Sequence, residues 1–410
     1  MSSFSIALSG LTAASSDLDV TANNVANADT IGFKGSRAEF ADVYASGAVN
    51  LNMSVTGEGV RMDDSAQQFT QGNISTTSSN LDLAISGDGF FTMKDASGTV
   101  YSRNGEFSED KNGNVVNATG QALQVYPPTT TGGFNTGALT DLNLQTAQSA
   151  PQATTSGNVI LNLPADSTAP AVAFDPTVPA SYNQSTSTTV YDSLGQAHTA
   201  TLYFSQGTTT ATTSTWNVNM AIDGTTVTAT PATLTFNSAG AVTPASAGAI
   251  SFGGYTPADG ASPLTVSMNF AQSTQYGGDF GVTAITQNGY ATGQLSTVSI
   301  DGSGIVSAVY TNGRSTQLGQ LAMANFPNPQ GLKQLGDTNW AETFTSGTVV
   351  SGAAGSTGFG TIQSGALESS NVDLTTELVN MITAQRAFQA NAQVITTANQ
   401  LSQTVINITH

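Results

Sequence analysis

The chain has 410 residues, with 9 Lys and Arg against 27 Asp and Glu, a formal net charge of −18, and only 9% charged residues, where about 25% is usual. With no basic cluster to displace counterions from phosphates, it is neither a nucleic-acid binder nor suited to an anionic membrane surface. The absence of Cys excludes a disulfide framework, a thiolate metal site and a cysteine nucleophile.

At about 150 residues per domain the length suggests roughly two to four domains. The first basic residue is Lys34, so the N-terminus lacks the positive region of a secretory signal. No run of about 18 apolar residues is present to span a membrane. Yet Ser, Thr, Asn and Gln are abundant while Lys, Glu and Cys are scarce, a cell-surface type of composition. The two observations agree if export uses a route that removes no signal.

The first predicted element is a helix. Phe4, Leu8, Leu11, Ser15, Leu18, Ala22 and Val25 are spaced alternately by 4 and 3, an a/d seam over three heptads. Ser2 or Ser3 can cap its start, and the Asn/Asp/Gly-rich segment from Asn23 to Gly32 can end it. About 25 helical residues span about 38 Å.

The period then changes to 2. Asn-Gly pairs stand at Asn104-Gly105, Asn112-Gly113, Asn288-Gly289 and Asn312-Gly313, and Asp-Gly pairs at Asp88-Gly89, Asp223-Gly224, Asp259-Gly260 and Asp301-Gly302. Flanked by alternating apolar residues, each signals a type I′ hairpin. Such flanks are Val190-Tyr191, Thr201 to Phe204, Trp216 to Ile222, Leu234 to Phe236 and Leu264 to Phe270. The middle is therefore expected to be antiparallel β. Polar, Pro-containing stretches at Pro127 to Phe134 and Ala147 to Ser156 read as a linker into a separate β domain that returns near Tyr276 to Gly281. Residues 112–313, 202 positions in all, contain eight Asp but no Glu, Lys or Arg.

A second helix is predicted at the C-terminus. Leu374, Leu378, Met381, Gln385, Phe388, Ala392 and Ile395 repeat the 4, 3 spacing, and the pattern then slips to Val394, Ala398, Leu401, Val405 and Ile408. Ser370 and Asp373 supply N-cap chemistry and negative charge at the positive helix end. A lone helix with one narrow apolar stripe is marginal in water. The two terminal helices can pair, yet the pair still buries little surface. Burial is completed either against the β body, as an ordinary helical hairpin, or against other copies of the chain. A heterologous contact between copies that does not close builds a helical filament.

Candidate chemical sites fare poorly. A triad on His198 lacks a Gly-x-Ser-x-Gly nucleophile elbow, and His198 reads as a surface strand residue. His198 and His410 are the only histidines, too few for zinc. In Asp110-Lys111-Asn112-Gly113-Asn114 the glycine is at the wrong place for a calcium loop, so a hairpin turn is expected. Gly87-Asp88-Gly89 opens no predicted helix to cradle a phosphate. Asp63 with Asp64, or Glu106 with Glu109, read as solvated acids rather than a glycosidase pair. Asn23, Asn24 and Asn27 can serve as turn residues, as contacts between subunits, or as both.

The chain resembles the axial rod and hook proteins of the bacterial flagellum. The resemblance rests on Ala22-Asn23-Asn24-Val25-Ala26-Asn27 with Thr30-Ile31-Gly32-Phe33-Lys34, on Ser86 to Phe91, and on Tyr101 to Phe107 with Asp110 to Tyr126. Near the other end it rests on Leu367 to Leu374, which includes Asn371 and Asp373, and on Met381 to Asn391. Val190 to Gly195 with His198, Gln287 to Leu295, Tyr310 to Gly313 and Phe326 to Leu332 are similar to the hook members, whereas rod members lack a large inserted β domain.

The resemblance implies a mainly β fold with α-helical termini, in which the chain goes out and returns. Residues 1–30 with 370–410 are expected as a helical coiled-coil domain, 31–70 with 350–369 as a connecting segment, 71–145 with 282–349 as an inner β domain, and 146–281 as an inserted outer β domain. It further implies a structural, non-enzymatic subunit of the extracellular flagellar hook. Such a subunit polymerises into a flexible tube that acts as a universal joint and encloses an export channel. No catalytic, metal or cofactor residue is expected. Implied partners are other copies, rod and hook–filament junction proteins, the hook cap and the flagellar type III export apparatus, with no nucleic acid and no membrane insertion. Self-assembly is assigned to Phe4, Leu8, Leu11, Leu18, Val25, Leu374, Leu378, Met381, Phe388, Ile395, Leu401 and Val405. Asn23, Asn24, Asn27, Gly32, Phe33, Lys34, Asn371 and Asp373 carry the family signature. A distal rod subunit, a secreted β-rich adhesin and a polysaccharide hydrolase are the alternatives.

Overall fold

The computed structural model describes residues 2–43, 57–96, 98–145, 148–230, 233–243 and 249–408. The chain divides into two compact units. One holds Met1–Gln145, Thr297–Ala308 and Ser315–His410, and the other holds Thr146–Ser296 and Val309–Arg314.

In the first unit, helix α1 (Ser2–Ala26) and helix α2 (Leu374–Ile408) pack on each other. Asn24 Nδ2 donates to Glu377 Oε1 at 3.3 Å. A Cβ placed on Gly10 would come within 2.8 Å of Asn391 Oδ1. The end of α1 thus meets the start of α2, and the middles meet, so the helices are antiparallel. The longer α2 outruns α1, and Leu401 lies beyond the start of α1. Strands β1 (Ser36–Asp42) and β2 (Val60–Gln67) pair antiparallel with a bulge at Glu39/Phe40, and both pack on α1.

The body of this unit is a twelve-stranded sheet in which Phe90–Lys94 pairs with Thr99–Ser102, Ala122–Tyr126 and Ser315–Asn325. Returning strands pair with outgoing ones: Thr361–Ser364 with Leu83–Ser86, and Ala366–Glu368 with Ile74–Thr76. Leu83, Ile85, Phe91, Met93, Val306 and Leu321 fill one core. Phe90, Tyr101, Phe326 and Trp340 form a second, with edge-to-face ring contacts.

The second unit is a ten-stranded sheet system. It contains β3 (Ser156–Pro164), β4 (Gln184–Tyr191), β5 (Ala197–Thr209), β6 (Thr213–Ile222), β7 (Thr225–Thr230), β8 (Thr233–Asn237), β9 (Ala249–Tyr255) and β10 (Leu264–Asn269). The path β4-β5-β6-β7-β9-β10 is antiparallel, and β8 pairs with β6. Alternate residues of β5 and β6, among them Leu202, Phe204, Trp216, Val218 and Met220, enter one core. The expectation of purely antiparallel pairing fails at β3, which runs parallel to β10 and to Thr274–Tyr276.

The type I′ reading of the Gly pairs also needs correction. Only Asp223-Gly224 places both residues at positive φ, 48° and 78°, in a two-residue turn, between β6 and β7. Asp301-Gly302 and Asn312-Gly313 lie in four-residue hairpin loops whose positive-φ glycines are Gly304 and Gly313. Gly105 and Gly289 have ordinary φ, and a Cβ there would collide with Leu83 O and the Thr154 hydroxyl, respectively. Those two glycines permit close backbone approach rather than a left-handed turn.

Candidate functional site

Two features stand out in the first unit: the surface of the helix pair and the cluster that anchors its root. On α1, Ala7, Ala14 and Thr21 are buried and Leu11, Leu18 and Val25 half-buried, whereas Leu8 is 49% exposed. On α2, Ala384 is buried, Glu377, Met381, Phe388, Asn391, Ile395 and Ala398 are half-buried, and Leu378 is 49% exposed. Each predicted stripe is therefore split. One of its two heptad positions (11/18/25 and 381/388/395) faces inward. At the other, Leu8, Ala22, Leu378 and Gln385 are exposed, Ser15 and Ala392 remain half-buried, and the residues one step earlier (7/14/21 and 377/384/391) also turn inward.

The cause is steric. The helices approach closely at Gly10, and α1 also lies on the β1–β2 pair, so on α1 the small side chains Ala7, Ala14 and Thr21 take the innermost positions. Phe4, Ile6 and Leu8 on α1 are left exposed, as are Leu374, Leu378, Val379, Ile382, Val394 and Leu401 on α2. Leu374, Leu378 and Ile382 recur every fourth residue and so share one face of α2. The backbone of Val405 is helical, but its side chain lies outside the described residues, as does His410.

The root is built almost entirely from side chains that cap or replace backbone partners. Asn24 both donates to Ser36 O (2.7 Å) and accepts from Ser36 N (2.8 Å), imitating a strand neighbour at the start of β1. Asn371 accepts from Gly35 N at 2.8 Å and donates to Gln68 O and Thr70 O. Asn27 donates to Asn23 Oδ1 and accepts from the Thr30 hydroxyl, closing the turn after α1. Asp373 caps α2 by accepting from Thr376 N at 2.7 Å, and these bonds hold its carboxyl below its ordinary value.

Gly32, at φ +70°, donates its N–H to Glu368 O, and Phe33 is buried beside it. At the centre Lys34 Nζ lies 2.6 Å from Glu368 Oε1 and Arg103 3.3 Å from Oε2, with no side-chain exposure at Lys34 or Glu368. Gly72 N also donates to Glu368 Oε1, Lys34 donates to Thr70 O, and Arg103 donates to Gly87 O. Burial pulls the Lys34 ammonium and the Arg103 guanidinium below their ordinary values, against the Glu368 charge that holds them up.

The signature residues thus converge on one junction of α1, β1 and α2. A cleft of about 510 Å³ opens there, lined in part by Asp17, Asn24, Arg37, Asn371, Asp373 and Glu377. The Lys34–Glu368–Arg103 triad, as a set, is not among the site residues assigned from the sequence. All three nonetheless lie inside the family motifs of a chain almost without cations.

Other sequence candidates resolve simply. Asp63, Asp64, Glu106 and Glu109 are exposed, and Asp63 pairs with Arg61. Asp110 accepts from Asn112 N and Asn114 N in a hairpin turn. His198 is not a surface residue: it is buried between two aspartates. Strand alternation placed it on a face but could not show that two turns fold over that face. Among the described residues no helix is long and apolar enough to cross a membrane.

Comparison with known proteins gives four family matches in chain order. They are Flagella basal body rod protein over residues 4–34, the D1 domain of Flagellar hook protein FlgE/F/G over 84–173, Flagellar basal body protein FlaE D2 domain over 162–290, and Flagellar basal body rod FlgEFG protein C-terminal over 363–408. The chain is 41% identical to the flagellar hook protein FlgE of Escherichia coli K12, covering 99% of both. It is 34% identical to that of Rhizobium meliloti, covering 98% of this chain and 97% of the relative, and 32% identical to that of Borreliella burgdorferi, covering 98% of both. The crystal structure of Helicobacter pylori flagellar hook protein FlgE2 superposes with a TM-score of 0.51 at 15% identity, over 72% of this chain and all of that one.

Proposed function

The chain belongs to the flagellar hook protein family as a structural subunit and not an enzyme, and from that premise we propose how its parts serve the hook. The exposed half of each terminal seam mates with helices of neighbouring copies. Stacked copies form the innermost layer of a tube around an export channel, with the β units outside. The helical layer carries torsion. The outer β surfaces, nearly free of cations, slide at low energetic cost, so the tube bends while transmitting torque as a universal joint.

In this reading the self-assembly residues fall into two sets. Leu11, Leu18, Val25, Met381, Phe388 and Ile395 hold the helix pair together within one subunit. Phe4, Leu8, Leu374, Leu378 and Leu401 contact other subunits, and Val405 is assigned to the same layer. The junction of Asn23, Asn24, Asn27, Gly32, Phe33, Lys34, Asn371 and Asp373 fixes the angle at which the pair leaves the β body. We also propose the four-part division, with 146–281 as the main part of the outer insert and the return boundary moved outward, since the compact unit runs on to Ser296 and takes in Val309–Arg314. Rod, junction and cap proteins are the axial partners, and export proceeds through the flagellar apparatus without a cleaved signal.

One observation carries the assembly reading: large apolar side chains, Leu8 and Leu378 among them, stand exposed on helices whose other edge is already packed. Exposed apolar stripes of this kind mark interaction surfaces. Removal of residues 1–30 or 370–410 is expected to give a monomeric β protein, whereas the full chain forms tubes visible by electron microscopy. Tubes from either truncated chain would show that the helices do not drive assembly.

A further inference from the structure

His198 is the one side chain between positions 112 and 313 able to carry positive charge, and it is buried where carboxylates converge. Its Nδ1 lies 2.6 Å from Asp223 Oδ2, in the turn between β6 and β7, and its Nε2 lies 3.3 Å from Asp192 Oδ2, in the turn between β4 and β5. The Tyr255 hydroxyl, at the end of β9, donates to Asp223 Oδ2 at 2.9 Å and stands 3.3 Å from Nδ1. Asp259, in the loop after β9, is a further carboxylate beside Asp192. Among the described residues these four groups (Asp192, Asp223, Tyr255 and Asp259) are the titratable ones around the imidazole.

Both aspartates also hold backbone. Asp192 Oδ1 accepts from Leu194 N and Gln196 N, and Asp223 Oδ1 accepts from Thr199 N. A neutral imidazole has one N–H, and an ionised carboxylate can only accept. Both ring nitrogens therefore donate to their carboxylates only in the imidazolium. Because the two point at opposite edges of the ring, they offer no common coordination point.

We propose that His198 is a pH-sensitive clamp: held as the imidazolium, it ties the β4–β5 and β6–β7 turns to the end of β9, and its deprotonation loosens that end of the second unit. The electrostatics agree. Burial alone would lower the imidazole, but bonding and charge from Asp223 and Asp192 outweigh it and hold His198 above 6.5. Burial alone would raise the two aspartates, but their hydrogen bonds hold both below 3.8. A raised histidine contributes stability that is full below its unfolded value and lost as pH rises through the folded one. The depressed aspartates contribute above 3.8 and lose that contribution as pH falls through their folded values. The clamp is thus tightest between 3.8 and 6.5 and opens on the alkaline side.

Ring-nitrogen NMR of the full chain tests this. The signal is assigned with His410→Gln, since only two histidines exist. Both His198 nitrogens are expected to be protonated below pH 6.5, with a midpoint above 6.5. Amide protection at Leu194, Gln196 and Thr199 is expected to fall through that same midpoint and to show no such step in His198→Gln. Should that variant fail to fold, Asp223→Asn is expected to lower the His198 midpoint by about 1 unit or more. A His198 midpoint at or below 6.5, an unmoved midpoint in Asp223→Asn, or the same protection step in His198→Gln would each overturn the clamp.

Discussion

Glu368 accepts from Lys34, Arg103 and the Gly72 amide in a pocket closed to water. One carboxylate thus serves two cations, and the lone pairs left over are filled by backbone. Removing either cation leaves the carboxylate partly paired, but removing Glu368 leaves two like charges buried side by side. Glu368→Ala is therefore expected to destabilise the first unit by about 3–5 kcal/mol, the range for a broken buried ion pair. Urea unfolding followed by tryptophan fluorescence, with Trp340 in that unit and Trp216 in the other, checks it. A loss under about 1 kcal/mol would mean that water reaches the triad. Lys34 was legible as a motif residue, yet its burial was not. A lysine thirty-four positions into a chain carries no mark of the glutamate that meets it after the chain has gone out and returned.

The seam was legible to within one residue at the scale of the helices. Periodicity reports an apolar arc, and an arc two side chains wide does not say which edge a neighbour will use. In the folded unit the close approach at Gly10 and the β1–β2 pair decide it. They turn Ala7, Ala14 and Thr21 inward and leave Leu8 outside. The two kinds of seam position are thereby separable. Leu378→Asp puts a charge on an exposed face, so the monomer is expected to keep its helical circular dichroism while polymerisation stops. Phe388→Asp puts a charge into the helix–helix contact, where an unpaired carboxylate is costly, so helicity itself is expected to fall. If Leu378→Asp polymerises like the parent, the exposed stripe is not the assembly surface.

For the whole molecule, charge is the organising variable. Of the nine Lys and Arg, only Arg314 falls between positions 112 and 332, where its guanidinium lies over the Tyr290 ring at 4.8 Å. The second unit therefore offers Asp166, Asp175 and Asp279 on its surface with almost no cation to pair with them in a neighbouring copy. Like charges repel mildly and keep such surfaces soluble. Lysines added at exposed positions of this unit, opposite aspartates of the next copy, are expected to stiffen the assembled tube, and the more so at low salt, where exposed charges are least screened. Curvature distributions from electron micrographs at two ionic strengths measure it, and unchanged bending would separate charge from flexibility.

By itself, the sequence determined the class of this protein. Heptads at both ends, a period of 2 between them and a set of motifs concentrated in the outer thirds lead to a mainly β subunit with paired terminal helices. These signals are local, repeating every few residues, and need no partner to be read. Tertiary structure alone decided which edge of each helix is spent inside the subunit, which cations are buried, and that His198 sits between Asp192 and Asp223 rather than in solvent. All three depend on contacts between residues far apart in the chain. Such contacts are set by how strands return and how closely backbones approach, and neither leaves a periodic trace in the sequence.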